Sequence, residues 1–348
     1  MKIAIIAGES FYKTSSFYIA ELLVQQGKNE VFIFNKTGVD AEISGTTTIP
    51  VTPVLKGLLP DRLLQQKKIA ALLKKYTFNK VLVFDADDIV KTKLPQVVIL
   101  NNDHPVEEPV LKKLEAADRI IVFSETHRQK LTHLHPPLQE KVVAAKPVIK
   151  DTFTPQSYEN KLRAKEEFAG EKEYFAFADF ETGKEEFLNL LKAFSAFKKM
   201  QQSGWKLVVA LRSRLSTKEK EELLKPLSNF KYRGDANVIN EPDDETVSML
   251  VSGAYALIST SEKIIYNLPV LEALVCNTPA IALRSEVFND YPEMVLEATN
   301  SDPDSFAEKM MFLYKNENKR SRLSQMAEEA MAGFGHEANV NALAEMVF

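Results

Sequence analysis

Short apolar runs alternating with helical patterns constrain this chain more than any other feature. In the first half "KIAIIA" precedes Phe17, Ala20, Leu22 and Leu23 at helical spacing, and "EVFIFN" follows. A basic amphipathic stretch leads to "KVLVFD", then to "QVVILNN", a helical pattern from about Glu107 to Asp118, and "RIIVFS". Strands that are apolar on both faces, joined by helices and lacking hairpin turn signals, call for a parallel sheet covered on both sides. Residues 144–157, "AAKPVIKDTFTPQS", carry two prolines among polar residues and read as a linker. The pattern then restarts with "EYFAFADF" and a long helix bearing Phe187, Leu190, Leu191, Phe194 and Phe197. "KLVVAL", a helix, "FKYRG", a helix around Asp244 to Val251, "YALIST", "NLPVLEALVCNTPAIAL" and a helix around Ser305–Tyr314 complete it. The expected architecture is α/β, with two doubly wound Rossmann-like units, roughly 1–150 and 151–330, facing each other. Open parallel sheets bind ligands beyond the carboxyl ends of their strands, so the cleft between the units is the expected site.

Composition narrows the class. The 348 residues are 45% hydrophobic and 26% charged, with a net charge of −4, as in a soluble globular protein with room for two cores. Residues 1–150 hold 21 Lys and Arg against 16 Asp and Glu, a net of +5, which leaves −9 for the remainder. A basic half joined to an acidic one hints at an anionic partner for the first. Arg62, Lys67, Lys68, Lys74 and Lys75 lie along the amphipathic stretch, whose apolar face holds Leu63, Leu64, Ala70, Leu72 and Leu73. A solvated surface helix is one reading of that stretch, and peripheral contact with a membrane through Arg62–Lys75 is the other. The single cysteine, Cys276, fits a reducing compartment. "MKIAIIAGES" reads as a buried strand rather than a signal peptide, and no apolar run reaches the roughly 18 residues of a spanning helix. A cytoplasmic location is expected, with association at the inner membrane face as its variant.

Several chemistries have no motif to carry them. There is no dinucleotide G-x-G-x-x-G, no Walker loop and no nucleophile elbow. The five histidines form no zinc pattern; "HLH" at 133–135 stands beside two prolines and reads as a loop. "DAD" at 85–87 has the spelling of a diphosphate–metal motif only, so no metal is expected. Nucleic-acid motifs are absent too. Inside "NLPVLEALVCNTPAIAL", Glu272 is a lone carboxylate in an apolar helix. An unpaired buried carboxylate is costly, so it either sits on an exposed helix edge or binds something.

That segment is similar to the G-L-P-x-L-E-A-x-A-C-G-x-P-V-I-A segment of glycosyltransferase family 4, retaining enzymes of GT-B fold. Its surroundings agree in order. "YFAFADFETGKEEFLNLLKAF" resembles the family's G-R-L turn and K-G-x-x-x-L-L-x-A-F helix, and "INEPDDETVSMLVSGAYALISTS" resembles the stretch ending in A-D-x-x-x-x-P-S. "FGHEANVNALAEMVF" resembles the closing helix that crosses back to the first domain, so residues 331–348 are expected to pack there, with His336 where tryptophan is usual. The resemblance is strong over about 140–348. Before that only the layout matches, down to "QVVILNNDH", which resembles the strand ending in the family's first-domain histidine. It implies an acceptor-side first domain and a second domain that binds a nucleotide sugar as co-substrate, with no cofactor.

What the resemblance implies for single residues is mixed. The family's second glutamate accepts hydrogen bonds from the ribose hydroxyls, a task suited to an acceptor-only carboxylate, and Glu272 matches it. Eight positions earlier stands Ile264 instead of glutamate, with Glu262 two residues out of register. The diphosphate-neutralising arginine position is Asp179, which would reverse the charge there. Lys184 fits the family's lysine at the shorter spacing, and Arg212 and Lys263 are substitutes for the lost cation. His104, just beyond a strand end, is the catalytic candidate. Cys276 and Trp205 read as packing. The implied activity is retaining transfer of a hexosyl group from a nucleotide sugar to a glycan, lipid or small molecule. The alternative is a catalytically inactive binding or scaffold protein on the same fold.

Overall fold

The computed structural model describes all residues except 9, 10, 13, 28, 38, 40, 41, 52–60, 101–107, 181, 182, 213, 214, 262–266, 285–287, 290 and 292. The chain divides into two compact units, Met1–Val148 with Glu337–Phe348, and Ile149–His336.

The first unit is built on a seven-stranded sheet of order β3-β2-β1-β4-β5-β6-β7. Its strands are β1 (Lys2–Ala7), β2 (Glu30–Asn35), β3 (Thr46–Pro50), β4 (Lys80–Val83), β5 (Gln96–Ile99), β6 (Arg119–Val122) and β7 (Val142–Ala144). Every pairing is parallel, as strands apolar on both faces require. Helices α1 (Ser15–Gln26), α2 (Asp61–Lys75), α3 (Glu108–Leu114) and α4 (Glu125–Leu134) connect them. Helix α2 is the basic stretch. Ile69 and Leu73 reach the core, Leu64, Ala70 and Leu72 are half-buried, and Lys67, Lys74 and Lys75 are exposed. The side chains of Arg62 and Leu63 lie outside the described residues.

The second unit has six parallel strands in the order β10-β9-β8-β11-β12-β13. They are β8 (Tyr174–Phe177), β9 (Lys206–Leu211), β10 (Ala236–Asn240), β11 (Ala256–Ser259), β12 (Ala280–Leu283) and β13 (Val295–Ala298). The helices are α5 (Tyr158–Ala169), α6 (Lys184–Gln201), α7 (Thr217–Leu224), α8 (Asp244–Gly253), α9 (Leu268–Val275), α10 (Pro303–Lys315) and α11 (Glu317–Met331). Helix α6 buries Phe187, Leu190, Leu191, Phe194 and Phe197 against the sheet. Trp205 packs with Phe175, Phe197, Tyr255 and Tyr314 in one aromatic cluster. Gly253 lets α5 and α8 approach closely, since a Cβ there would overlap the Ala164 Cβ. The expected strand at "FKYRG" is corrected: Arg233–Asp235 form a 3₁₀ turn and the strand is Ala236–Asn240.

The last helix, α12 (His336–Val347), straddles the boundary and belongs to the first unit from Glu337 on. Lys80 donates to the Val347 and Phe348 carbonyls, at 2.5 and 3.0 Å, and Arg119 to that of Met346 at 2.7 Å. Basic side chains thus satisfy the carbonyls that a helix C-terminus leaves open.

Candidate functional site

In each sheet the strand order reverses at one place, between β1 and β4 in the first unit and between β8 and β11 in the second. Ligand crevices of open parallel sheets form at such points, beyond the strand carboxyl ends. In the second unit that edge gathers Asp179 and Phe180 just past β8, Arg212 just past β9, Ser259–Ser261 at the end of β11, and Glu272 on α9.

Glu272 is the fifth residue of α9, and all eight residues of that helix are buried. Its exposure is 0%, so the helix-edge reading is overturned. Its partner is Arg212. Nη1 donates to Oε2 and Nη2 to Oε1, the latter at 3.0 Å, a bidentate fork. Burial raises the Glu272 pKa, opposed by the charge and hydrogen bonds of Arg212. A guanidinium has no acceptor to offer a carboxyl O–H, so two N–H groups on two oxygens is the arrangement of the ionised form.

Arg212 has further partners beside Glu272. Its guanidinium carbon lies 3.9 Å from the Phe180 ring centroid and 5.6 Å from that of Phe153. Asp244, at the start of α8, is 3.7 Å from Nη2 and pairs with Lys150 at 2.5 Å. Lys150, Asp244, Arg212 and Glu272 form a chain of alternating charge that ends on α9. Such a chain supplies each buried charge with a counter-charge.

Asp179, expected to oppose bound phosphates, points inward instead. It is 1% exposed, and Ser259 Oγ, Thr260 N and Ser261 Oγ all donate to its Oδ2 at 3.1 Å. Burial, partly offset by these bonds, pushes its pKa up to about 7. This carboxylate ties the end of β8 to the end of β11. Lys184 is the first residue of α6 and is exposed. The Glu186 carboxylate folds back against Gly183, the N-cap of the same helix, so the chain's own anion lies at that positive terminus. Cys276 is buried, with its thiol pKa pushed up to about 12 by burial, as a packing residue would be.

Two of the sequence candidates, Glu272 and Arg212, are therefore brought together. Lys184 lies exposed at the start of α6. His104, Glu262, Lys263 and Ile264 lie outside the described residues.

The first unit holds a constellation that sequence reasoning missed. Asp88 is buried and accepts from Gly8 N at 3.2 Å, at the end of β1, and from Lys36 Nζ at 2.5 Å, just past β2. Burial raises its pKa and the Lys36 charge opposes that. Gly8 was the available signal, because a Cβ there would collide with the Asp88 carboxylate. The "DAD" run serves a turn: Asp85 accepts from Asp87 N at 2.7 Å, and Asp87 pairs with Lys113. Among the described residues no group of three or more His, Cys, Asp or Glu is placed to hold a metal, and no helix is long and apolar enough to cross a membrane.

Two all-parallel Rossmann-like domains with this strand order define an α/β protein of GT-B fold. Within it, residues 159–330 match the family model described as glycosyl transferases group 1. Solved structures agree on the fold. A glycosyltransferase from Rickettsia africae has a TM-score of 0.71 at 12% identity, over 99% of this chain and 97% of that one. Anabaena HepE, solved in complex with UDP-glucose, gives 0.75 at 11% identity, over 99% of both chains. WaaG, a glycosyltransferase involved in lipopolysaccharide biosynthesis, gives 0.74 at 11%, again over 99% of both. No curated protein matches the sequence at a significant level.

Proposed function

We propose that this protein is a retaining glycosyltransferase of family 4 type, which moves a hexosyl group from a nucleotide sugar to a glycan, a lipid or a small-molecule acceptor. The observation that carries the reading is the Glu272–Arg212 pair at the carboxyl edge of the second sheet, within the residues that match the glycosyl transferase model. In this reading Ile149–His336 takes the donor and the first unit takes the acceptor. Glu272 accepts from the ribose diol, and Arg212 and Lys184 carry positive charge toward the diphosphate leaving group. Stabilising that departing charge is the largest service such a site can render. The nucleotide sugar is a co-substrate, and the cations belong to the chain rather than to a resident metal. Anabaena HepE, which holds UDP-glucose, supports this class of donor. A cytoplasmic location belongs to the same reading and rests on the lone, buried Cys276. If the acceptor is lipid-linked, the exposed lysines of α2 meet anionic headgroups at the inner membrane face.

Calorimetric titration of the full chain with UDP, ADP and GDP tests this, together with release of nucleoside diphosphate from the matching nucleotide sugars. One nucleotide is expected to bind, and its sugar to be released slowly to water when no acceptor is present. No binding at millimolar nucleotide would leave a catalytically inactive protein on the same fold.

A further inference from the structure

The Arg212–Glu272 fork creates a conflict for the donor reading. A ribose ligand needs accessible acceptor oxygens, and Arg212 holds both while Glu272 has no exposure. The conflict has a chemical resolution. Two parallel guanidinium N–H groups and the two O–H groups of a vicinal diol present the same kind of edge to a carboxylate, with two donors meeting two acceptors. Arg212 therefore occupies the edge that a ribose would take.

We infer that Arg212 is the specificity-determining residue of the donor site: it pairs with Glu272 on the edge that a ribose would take, and the donor's diphosphate draws it off Glu272. The inference rests on the glycosyltransferase reading of the same site. Three observations shape it. First, Asp179 is buried and its Oδ2 accepts from Ser259, Thr260 and Ser261, so three donors offset its charge. Second, the stack on Phe180 can support the guanidinium whether or not Glu272 holds it. Third, Asp244 keeps Lys150 as its own counter-charge, so Arg212 can move without stranding that carboxylate. Glu272, relieved of Arg212, takes two O–H donors from the diol in exchange. A diphosphate offers Arg212 a bidentate acceptor in place of the carboxylate. A nucleoside offers Arg212 nothing in return.

The consequence is discrimination between nucleoside diphosphate and nucleoside. A nucleoside repays Glu272 through its diol but leaves Arg212 without an acceptor, whereas a diphosphate repays both. The wild-type chain is titrated with uridine and UDP, adenosine and ADP, and guanosine and GDP, and the comparison is repeated with Arg212→Lys. The preferred diphosphate is expected to bind about 10- to 100-fold more tightly than its nucleoside, the range for hydrogen bonds to a charged group. Arg212→Lys keeps the charge but loses the fork. The two ligands should then move in opposite directions, with nucleoside binding up to about tenfold tighter and diphosphate binding about tenfold weaker. A purely structural Arg212 would weaken both together, and that result overturns the inference. So does a wild-type protein that binds nucleoside as tightly as diphosphate, a measurement that needs no variant to fold. Absence of binding by all three diphosphates refutes the donor reading itself.

Discussion

Replacing Glu272 with glutamine tests the central pair through stability alone, with no ligand present. The substitution keeps size and shape but removes the charge. One oxygen can still accept from Arg212, while the new amide nitrogen turns donors toward a guanidinium that has only donors. Taking one partner from a buried ion pair costs about 3–5 kcal/mol. Asp244, 3.7 Å from Nη2, remains as a counter-charge, which places the expected loss near the lower end, about 3 kcal/mol. For a unit of about 190 residues each kcal/mol moves the midpoint by roughly 2–4 °C. The transition of the second unit should therefore fall by about 6–12 °C in a calorimetric melt, and that of the first unit should stay in place. An apolar double replacement, Arg212→Met with Glu272→Met, should recover most of the loss, because it strands no charge. A Glu272→Gln transition within about 2 °C of wild type, or a double variant weaker than the single one, would refute the view that this pair carries buried charge.

Asp179 gives a pH signature. Its folded pKa is raised to about 7 from 3.8, so between those values the folded unit keeps a proton that the unfolded chain has lost. Wild-type stability should fall as pH rises through that window, by about three units at 1.36 kcal/mol each, on the order of 4 kcal/mol. Asp179→Asn should flatten the dependence and be the more stable form at pH ~8 in denaturant titrations; an unchanged slope would show that the carboxylate is ionised throughout. Removing α12 should unfold the first unit, because Val340, Leu343 and Val347 are buried there. At about 2 kcal/mol each they match most of a small domain's margin. Limited proteolysis would report it, and resistant first-unit fragments would count against it. If the acceptor is lipid-linked, co-sedimentation with anionic liposomes should vanish at ~1 M salt, since Ile69, Leu72 and Leu73 of α2 already serve the core; binding that survives such salt would point to insertion instead.

The layout was legible because all-parallel sheets demand continuous apolar strands, and "KIAIIA", "EVFIFN", "YFAF" and "KLVVAL" have no other plausible home. Edge strands were not legible. β10 and β3 are only part-buried, so "ANVIN" and "TTTIP" carry little apolar signal, while "FKYRG" looked more strand-like than it is. At the site, residue types were readable but their partners were not. A carboxylate in an apolar helix announced that Glu272 needed something. That Arg212, sixty residues earlier, would supply it depends on the parallel order that sets β9 two strands from β11. Asp179 misled for a related reason. Aligned position predicts where a side chain begins, whereas the three donors at the end of β11 decide where it points.

Helix α12 makes the first unit discontinuous along the chain, with Ile149–His336 inserted between its two parts. A ribosome releases residues in order, so the second unit has its whole sequence available first. The sheet of the first unit must wait for the segment that carries Val347 to its place beside Lys80. At about 5–20 residues per second, the intervening stretch imposes a delay of roughly 10–40 s. During that interval β1 to β7 stand without their last helix, and apolar surface meant for Leu343 and Val347 is open to chaperones or to other nascent chains. In synthesis this protein finishes its beginning last.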